Sequence, residues 1–578
     1  MNYTASFTEE SKPTFKNWLT LVVLSSSLMI IIIDASIVNV TIQAIRTDFN
    51  ASLRDLDWIS AAYSLVYAAL IITWGRISDA VGRKTIFIAG VTTFVLGSII
   101  TGAAPTIGVI IIGRIIQGLG AAMASPSTLS ILSSTFTGKS RSVAFGVWGA
   151  TAGAGGALGP LVGGFLTTNF SWRWAFYINI PIGILAVAGA LLFIQESKDT
   201  TRKQTIDPLG IIFASFGLAA LVFGLIEGQT YGWLTPKGSF AIGTWNWPLQ
   251  NIAFAATMFI IAIVFLTAFV VYEIWLKSRG GEPIFDFSLL KFRGFRFGLI
   301  TVGVVALGEF GILFVLSLYF QGVRDLTALQ TGLILLPFAV GSFFTAPIAG
   351  ILASRFGAKW IVTSGMTIEA LSIFSISRIT QTYTPLWQFI PVFLFYGIGL
   401  GLAIAQLTSV VLSDIPPQFS GAASGANNTV RQVGSAIGVA ILSAILAAQI
   451  TTVSQNDLAK NTILPSYIKT SVQQAFNSGL SAGDITSSVS SPVSNTGGAA
   501  PSGAGTGAPP SGKVIGQQIT AIFNDATTQG TRYAALFAAL FVLLGALASL
   551  SIPGAKAKAT RSAKAMDLQT KEALAPEI

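Results

Sequence analysis

The sequence predicts an all-α integral membrane protein: two six-helix bundles with two further helices inserted between them, fourteen spans in total. Three observations carry this. Of 578 residues, 52% are hydrophobic and 10% charged, against about 25% charged in a soluble globular domain. A chain so poor in charge has to set most of its surface against lipid. Its apolar residues fall into fourteen runs, each near the ~20 residues needed to cross a bilayer. The basic loop Gly75-Arg76-Ile77-Ser78-Asp79-Ala80-Val81-Gly82-Arg83-Lys84 lies between two such runs. It has a worn copy 275 residues later, Gly350-Ile351-Leu352-Ala353-Ser354-Arg355-Phe356-Gly357-Ala358-Lys359. A charged hinge recurring between apolar spans marks a duplicated membrane protein, and in such proteins the site lies between the repeats.

In chain order, residues 1–17 read as a cytoplasmic N-terminus whose polar start runs straight into a full-length span, so no cleavable leader is expected. Spans at 18–41, 56–74, 85–103, 106–130, 142–167 and 174–195 form the first bundle (18–195). Residues 196–296 are a linker holding two extra spans, 208–228 and 250–276. Its flanks are the charged segments Gln195–Asp207 and Lys277–Arg296, the latter with Lys277, Arg279, Lys291, Arg293 and Arg296. The second bundle (297–552) has spans at 297–320, 328–352, 360–378, 386–411, 422–450 and 531–552. Between its last two spans lies an external loop, 451–530. There the stretch from Ser471 to Gly512 carries one charge, Asp484; rich in Ser, Gly, Ala and Pro, it reads as a disordered tether, with a substrate-touching helical hairpin as the alternative. Residues 553–578 are a cytoplasmic tail.

The repeat extends past the hinge. Gln117-Gly118-Leu119-Gly120 in the fourth span resembles Ile398-Gly399-Leu400-Gly401 in the twelfth, at an offset of 281. Gly146 and Gly159 of the fifth match Gly425 and Gly438 of the thirteenth, both at 279.

Composition also excludes. Cys and His are both absent, which removes disulfides, thiol chemistry, the usual metal ligand and the usual neutral-pH acid or base. The net charge of +10 is topological rather than a nucleic-acid footprint. With the N-terminus inside, 22 Lys and Arg fall on cytoplasmic segments and 10 outside, with Arg114 and Arg431 inside spans, which follows the positive-inside rule. Lys556, Lys558, Arg561 and Lys564 suit contact with anionic lipid. Ser133 to Ser140 mimics a phosphate loop, but Ser133 stands where its first Gly is required and no strand precedes it, so no nucleotide is expected.

Any proton chemistry therefore falls to carboxylates. Asp34 follows four isoleucines, Ile30 to Ile33. A charge at bilayer depth costs at least ~2.5–3.5 kcal/mol on insertion scales, so Asp34 has to point into the bundle. Burial favours the protonated form of such an acid. An acid so placed can load and release protons or attract a cationic substrate; a structural bond across helices is the plainer alternative. Arg114, with Gln117 one turn on, stays charged and needs a partner or a wet cavity. Glu309 in the ninth span is a second candidate acid. Glu227, near the outer end of the seventh, is a weaker one, and Glu369 in the eleventh is assigned no role. Asn427, Asn428, Arg431 and Gln432 form a polar patch in the thirteenth span. In the fifth, Gly155, Gly159 and Gly163 share one helix face, which permits close backbone approach, and Pro160 invites a bend. Trp172 and Trp174 read as an aromatic belt. No credible nucleophilic triad exists.

These residues resemble the major facilitator superfamily, and within it the fourteen-span drug:proton antiporters. Gly75 to Lys84 is similar to its loop signature, with Gly75, Asp79, Gly82, Arg83 and Lys84 as the conformational switch. Arg114 to Gly118 resembles the fourth-span signature linked to proton coupling, and Gly159 to Gly164 the fifth-span antiporter signature. Asp34 to Val40 resembles the first-span signature, with Ala35 where Thr is usual and Gln43 where Pro is usual. Trp172 to Gly183 and Pro283 to Asp286 add support. The resemblance implies the major facilitator fold and alternating access, with proton influx driving export. On this reading Asp34, Arg114, Glu309 and Glu227 couple protons, while Asp34, Asn39, Gln117, Asn427, Asn428 and Arg431 line the substrate cavity. The expected activity is proton-coupled multidrug efflux of lipophilic, often cationic compounds across the plasma membrane. The expected carrier is a monomer in contact with membrane lipid, has no cofactor besides the proton, and takes no nucleotide or nucleic acid. An exporter of an endogenous metabolite, lipid or siderophore is the alternative, and a non-transporting sensor a further one; no enzymatic activity is expected.

Overall fold

Fourteen helical crossings follow one another in the computed structural model, which describes residues 13–51, 53–197, 207–237, 240–242, 245–249, 251–477 and 512–553. The first bundle is α1 (Phe15–Phe49), α2 (Leu53–Val81), α3 (Arg83–Gly102), α4 (Ile107–Thr135), α5 (Gly138–Asn169) and a sixth crossing broken into α6 (Trp174–Tyr177) and α7 (Asn179–Phe193). The insert is α8 (Pro208–Tyr231) and α9 (Phe254–Ser278). The second bundle is α10 (Arg293–Leu318), α11 (Ala328–Phe356), α12 (Ala358–Ile379), α13 (Phe389–Ser413) and α14 (Ser420–Lys460), then, after the short α15 (Ser466–Asn477), α16 (Gly512–Ser549). Among the described residues 13 helices are long and apolar enough to span a membrane. The fourteenth crossing is α5, diluted by glycine but 32 residues long and packed between α1 and α11.

Local signals set the helix starts. Asp207 caps α8 by accepting from Gly210 N at 3.1 Å, with Pro208 at the first position, where the missing N–H is harmless. Thr327 and Gln330 form a reciprocal capping box on α11.

The repeat shows in the packing. It maps α2 onto α11 and α5 onto α14, and the halves meet where α5 packs on α11 and α14 packs on α2: one contact made twice. The glycines fix its register. A Cβ on Gly75 would lie 2.5 Å from the Gly421 carbonyl oxygen, and one on Gly350 2.5 Å from that of Ser142. The structure corrects one pairing. In the first bundle the backbone of α4 at Gly120 sits against Phe94 N and Gly90 O; in the second, α13 does the same at Gly399 against Glu369 N and Gly365 O. Gly120 thus corresponds to Gly399 and not Gly401, so α4 and α13 share the 279-residue offset of α5 and α14. α2 and α3 keep 275.

The insert is peripheral. α8 packs on α2 and α14, α9 mainly on α8, and Ile260, Ile263, Val264 and Val271 of α9 are exposed, as a lipid-facing helix requires. α14 runs 41 residues and α16 38, about 60 Å each at 1.5 Å per residue, twice the hydrocarbon thickness of ~30 Å. Their projecting ends join α15 in a separate small core of Leu458, Leu464, Ile468, Val472, Ile515, Ile519 and Ile522. The external loop expected at 451–530 is helical at both ends, and of the stretch 471–512 read as a tether, 471–477 and 512 are helical. Residues 478–511, with Asp484, lie outside the described residues, as do 1–12, the charged stretch 198–206 and the basic tail from 554.

Candidate functional site

The polar residues expected at bilayer depth separate into one cluster in each half. In the first half Asp34 is fully buried on α1, with Arg114 and Gln117 of α4 around it. Arg114 Nη1 donates to Asp34 Oδ2 in a close ion pair. Gln117 Nε2 and Asn179 Nδ2 (α7) each donate to Oδ1 at 2.8 Å, and both also donate to Ser98 Oγ of α3, at 2.8 and 3.1 Å. Arg114 further donates to Gln117 Oε1 at 2.9 Å and to the Ile59 carbonyl at 3.2 Å, and its guanidinium lies 4.4 Å from the centre of the Tyr63 ring. Burying an ion pair is tolerable when its spare hydrogen-bonding capacity is met, and here it is met from four helices. The sequence reading named Asp34, Arg114 and Gln117 but missed Asn179, Ser98 and Tyr63. Asn179 had a signal, an amide inside the apolar run of span six.

In the second half Glu309 of α10 faces Arg431 of α14 at 4.0 Å. Arg431 also approaches Thr408 Oγ1 at 3.5 Å, and Tyr396 OH donates to the Glu309 carbonyl at 3.4 Å. Glu369 is fully buried on α12, in the electrostatic reach of Glu309 and Arg431. Asn427 is buried and Asn428 half-buried on α14; both amide atoms of Asn427 lack a hydrogen-bond partner among the described residues. Glu227 is not part of either cluster as built: it is buried on the α8 face shared by Phe223 and Tyr231. The side chain of Asn39 lies outside the described residues.

The segment 75–84, expected as a loop, is instead the last turns of α2 and the first of α3, joined at Gly82 alone, and it closes one end of the molecule. Asp79, buried at the end of α2, accepts from Gly421 N at 3.0 and 2.8 Å and from Ala422 N at 3.1 Å, across the boundary between the halves. These are the first N–H groups of α14, where a helix terminus favours an anion. Arg83 holds the same carboxylate at 2.9 and 3.0 Å. Gly82 has φ 137°, a backbone only glycine adopts freely, and it lets Glu196 reach Lys84 N at 3.0 Å and Thr85 N at 3.1 Å. Lys84 Nζ donates to the Leu191 carbonyl. Glu196, in the charged linker, is thus part of the hinge although its sequence gave no hint of it. In the worn copy Ser354 replaces Asp79, so only one of the two seams carries this carboxylate.

α5 uses glycine on two faces. Gly155, Gly159 and Gly163 receive Ile32, Ser36 and Ile37 of α1, whereas Gly146 and Gly153 receive α11 at Ala346 and Ser342. The helix runs unbroken through Pro160. At the opposite end from the α2–α3 junction, Asp48 accepts from Trp172 Nε1 at 3.0 Å and Arg173 Nη1 at 2.8 Å. The Trp172 bond, then Arg173, hold its carboxyl below the usual carboxylate range. In the linker, burial pushes the Asp286 carboxyl up, but Lys277 and Ser288 outweigh it and the net displacement is downward.

A family model, the Major Facilitator Superfamily, matches residues 24–208 and 207–439. Among curated relatives, the tetracenomycin C resistance and export protein of Streptomyces glaucescens is 29% identical over 75% of this chain and 76% of its own length. The multidrug resistance protein Stp of Mycobacterium tuberculosis is 32% identical over 74% and 76%. The puromycin resistance protein of Streptomyces alboniger is 29% identical over 75% and 82%. Among solved structures, the human organic anion transporter MFSD10 (TETRAN) shares the fold, with a TM-score of 0.51 and 14% identity over 75% of this chain and 94% of its own.

Proposed function

This chain belongs to the major facilitator superfamily and is a multi-pass membrane transporter of the efflux type, and on that premise we propose that it exports lipophilic, often cationic compounds in exchange for protons. On this reading it works in the plasma membrane with both termini in the cytoplasm, as a monomer, with the proton as its only coupling species. The observation that carries the proposal is the placing of acids at bilayer depth on both sides of the seam: Asp34 with Arg114 in one half, Glu309 with Arg431 in the other. Acids at such depth mark ion or substrate pathways. The relatives' names, which speak of resistance and export, support the direction of transport.

The halves meet at the α2–α3 junction, where Asp79 binds α14, so this conformation is sealed on the proposed cytoplasmic side. An external proton then binds Asp34 or Glu309 and displaces the cationic substrate. The protonated carrier turns inward and loses the proton there. Proton and substrate compete for the same carboxylates, which ties one movement to the other.

The test is proton-gradient-driven ethidium transport in proteoliposomes, wild type beside Asp34→Asn. Gradient-dependent transport that is lost in the variant is the expected result. Equal uphill transport by both would remove Asp34 from the coupling and leave Glu309 or Glu227. Absence of transport by folded wild type would overturn the polyspecific reading and favour an endogenous metabolite.

A further inference from the structure

Both halves are built on one glycine scaffold, and comparing the residues seated on it exposes an imbalance. The backbone seat beside Gly120 is taken by Phe94, 1% exposed; the same seat beside Gly399 is taken by Glu369, 0% exposed. The fold therefore does not require a carboxyl there. Both Glu369 carboxyl oxygens lack a hydrogen-bond partner among the described residues, whereas Asp34 receives three side-chain donors. The charges differ in the same sense. The first half sets one acid against one arginine, Asp34 against Arg114. Among the described residues, the second sets two acids, Glu309 and Glu369, against Arg431 alone. One carboxyl at bilayer depth is in excess, and a buried charge without a partner is expensive.

We propose that Glu309 and Glu369 form a two-carboxyl proton site, with Glu369 its inner member, closed to substrate, and Glu309 the outer member that meets a cationic substrate beside Arg431. This rests on the proton-exchange reading above and names where the exchanged proton is held. With one proton shared by the pair, the cluster with Arg431 is neutral. When a monovalent cation docks at Glu309, the shared proton leaves to water on the open side, both carboxyls are ionised, and the cluster with its cation is again neutral. The exchange is one proton for one positive charge. Two carboxyls sharing one proton titrate as a pair. Exposure sets the order: Arg431 keeps 18% of its side chain exposed and Glu309 6%, against a fully buried Glu369, so a large cation meets Arg431 first with Glu309 beside it, and only a proton passes further.

The titratable groups around Glu369 are few. α10 brings Glu309, α13 brings Tyr396 and α14 brings Arg431; α2 brings Tyr67, which faces Arg431. α11 carries only Arg355, at its end. α16 carries Arg532, bound to the Ser377 carbonyl two turns from Glu369, and Tyr533, whose side chain is exposed.

The experiment measures tetraphenylphosphonium binding to the purified full-length protein between pH 5 and pH 8, with a pH dye to count released protons. Wild type is expected to release about one proton per cation bound, with affinity rising roughly tenfold per pH unit below the site's titration. Glu369→Gln is expected to release none and to bind with a flat pH profile. Glu369→Phe, which copies the residue at the Phe94 seat, should fold with an unchanged melting temperature and be equally flat. A wild-type slope and proton count in both folded variants overturns the dyad, as does loss of the slope in Asp34→Asn alone. Gradient-driven ethidium transport by wild type alongside either of those results leaves proton exchange standing and removes only the dyad. Gradient-independent transport with no proton released overturns both.

Discussion

Replacing Asp79 by Asn should open the end of the molecule that this structure holds closed. Asp79 reaches the partner half through Gly421 N at 2.8 Å and Ala422 N at 3.1 Å, and its own half through Arg83. The Arg83 pair lies within one half and persists however the halves move, so only the bonds to α14 distinguish closed from open. A hydrogen bond to a charged group contributes ~1.5–3 kcal/mol. Asn keeps one neutral acceptor and turns an NH2 group towards the other donor. The closed state should lose about 2–3 kcal/mol from one bond forfeited and one weakened. At 1.36 kcal/mol per decade that is a roughly 30- to 160-fold shift in the equilibrium. The chain has no cysteine, so Val81→Cys and Phe356→Cys introduce the only thiols. Both positions are exposed, at 49% and 66%, and they are counterparts under the 275-residue repeat, one on each half at the closed end. Pulsed electron paramagnetic resonance on spin labels at these sites reads the ratio of long- to short-distance populations. That ratio should rise by the stated factor in Asp79→Asn. The parental distribution in a variant with intact melting temperature would refute the latch.

The other predictions concern the seam and the far end. Gly146→Leu should lower the melting temperature and slow transport, because its Cβ would stand 2.5 Å from the Ala346 carbonyl oxygen, backbone that cannot rotate away; overpacking of this kind costs about 1–3 kcal/mol. A variant that melts with wild type would show that α5 and α11 are not in contact there. Asp48 lies beyond the span of its helix, and its carboxyl is held low by Trp172 and then Arg173. A depressed folded value means its stabilisation is full above the unfolded value of ~3.9 and is lost as pH falls through the folded one. The melting-temperature advantage of wild type over Asp48→Asn should therefore be largest near neutral pH and shrink on acidification below about 4; an advantage that grows in acid would reverse the assignment.

Much of the fold was legible because the bilayer leaves helices little alternative. Each apolar run had to be a crossing, and Gly155, Gly159 and Gly163 had to share a face, which α1 duly fills. Buried charge was legible for the same reason: Asp34 and Arg114 had few places to go except to each other. What the sequence concealed were partners without charge and contacts without pattern. Ser98 and Tyr63 look like ordinary residues of apolar spans until α4 brings Arg114 onto them. Glu196 sits in a charged linker that reads as solvated, and only the left-handed turn at Gly82 explains why its carboxyl reaches the start of α3. Mean hydropathy also understates α5, since the glycines that let two helices approach it are the residues that dilute its apolar signal.

The misread pairing of α4 with α13 has a physical cause, and it bears on the acids. Gly-Leu-Gly recurs as a string in both helices, so sequence matching aligned Gly120 with Gly401. A helix turns 100° per residue, and the two-residue error rotates one helix by 200° against the other. On that false register the seat of Glu369 has no counterpart. On the register set by Gly90 with Gly120 and Gly365 with Gly399, the counterpart is Phe94, and the carboxyl becomes a choice made in one half only. A duplicated scaffold tends to keep what packing demands in both copies, as it has kept these glycines. Where one copy sets a carboxylic acid and the other a phenylalanine in the same close contact, packing is met either way. The difference must then answer to the charge that the site carries, and so to what it exchanges.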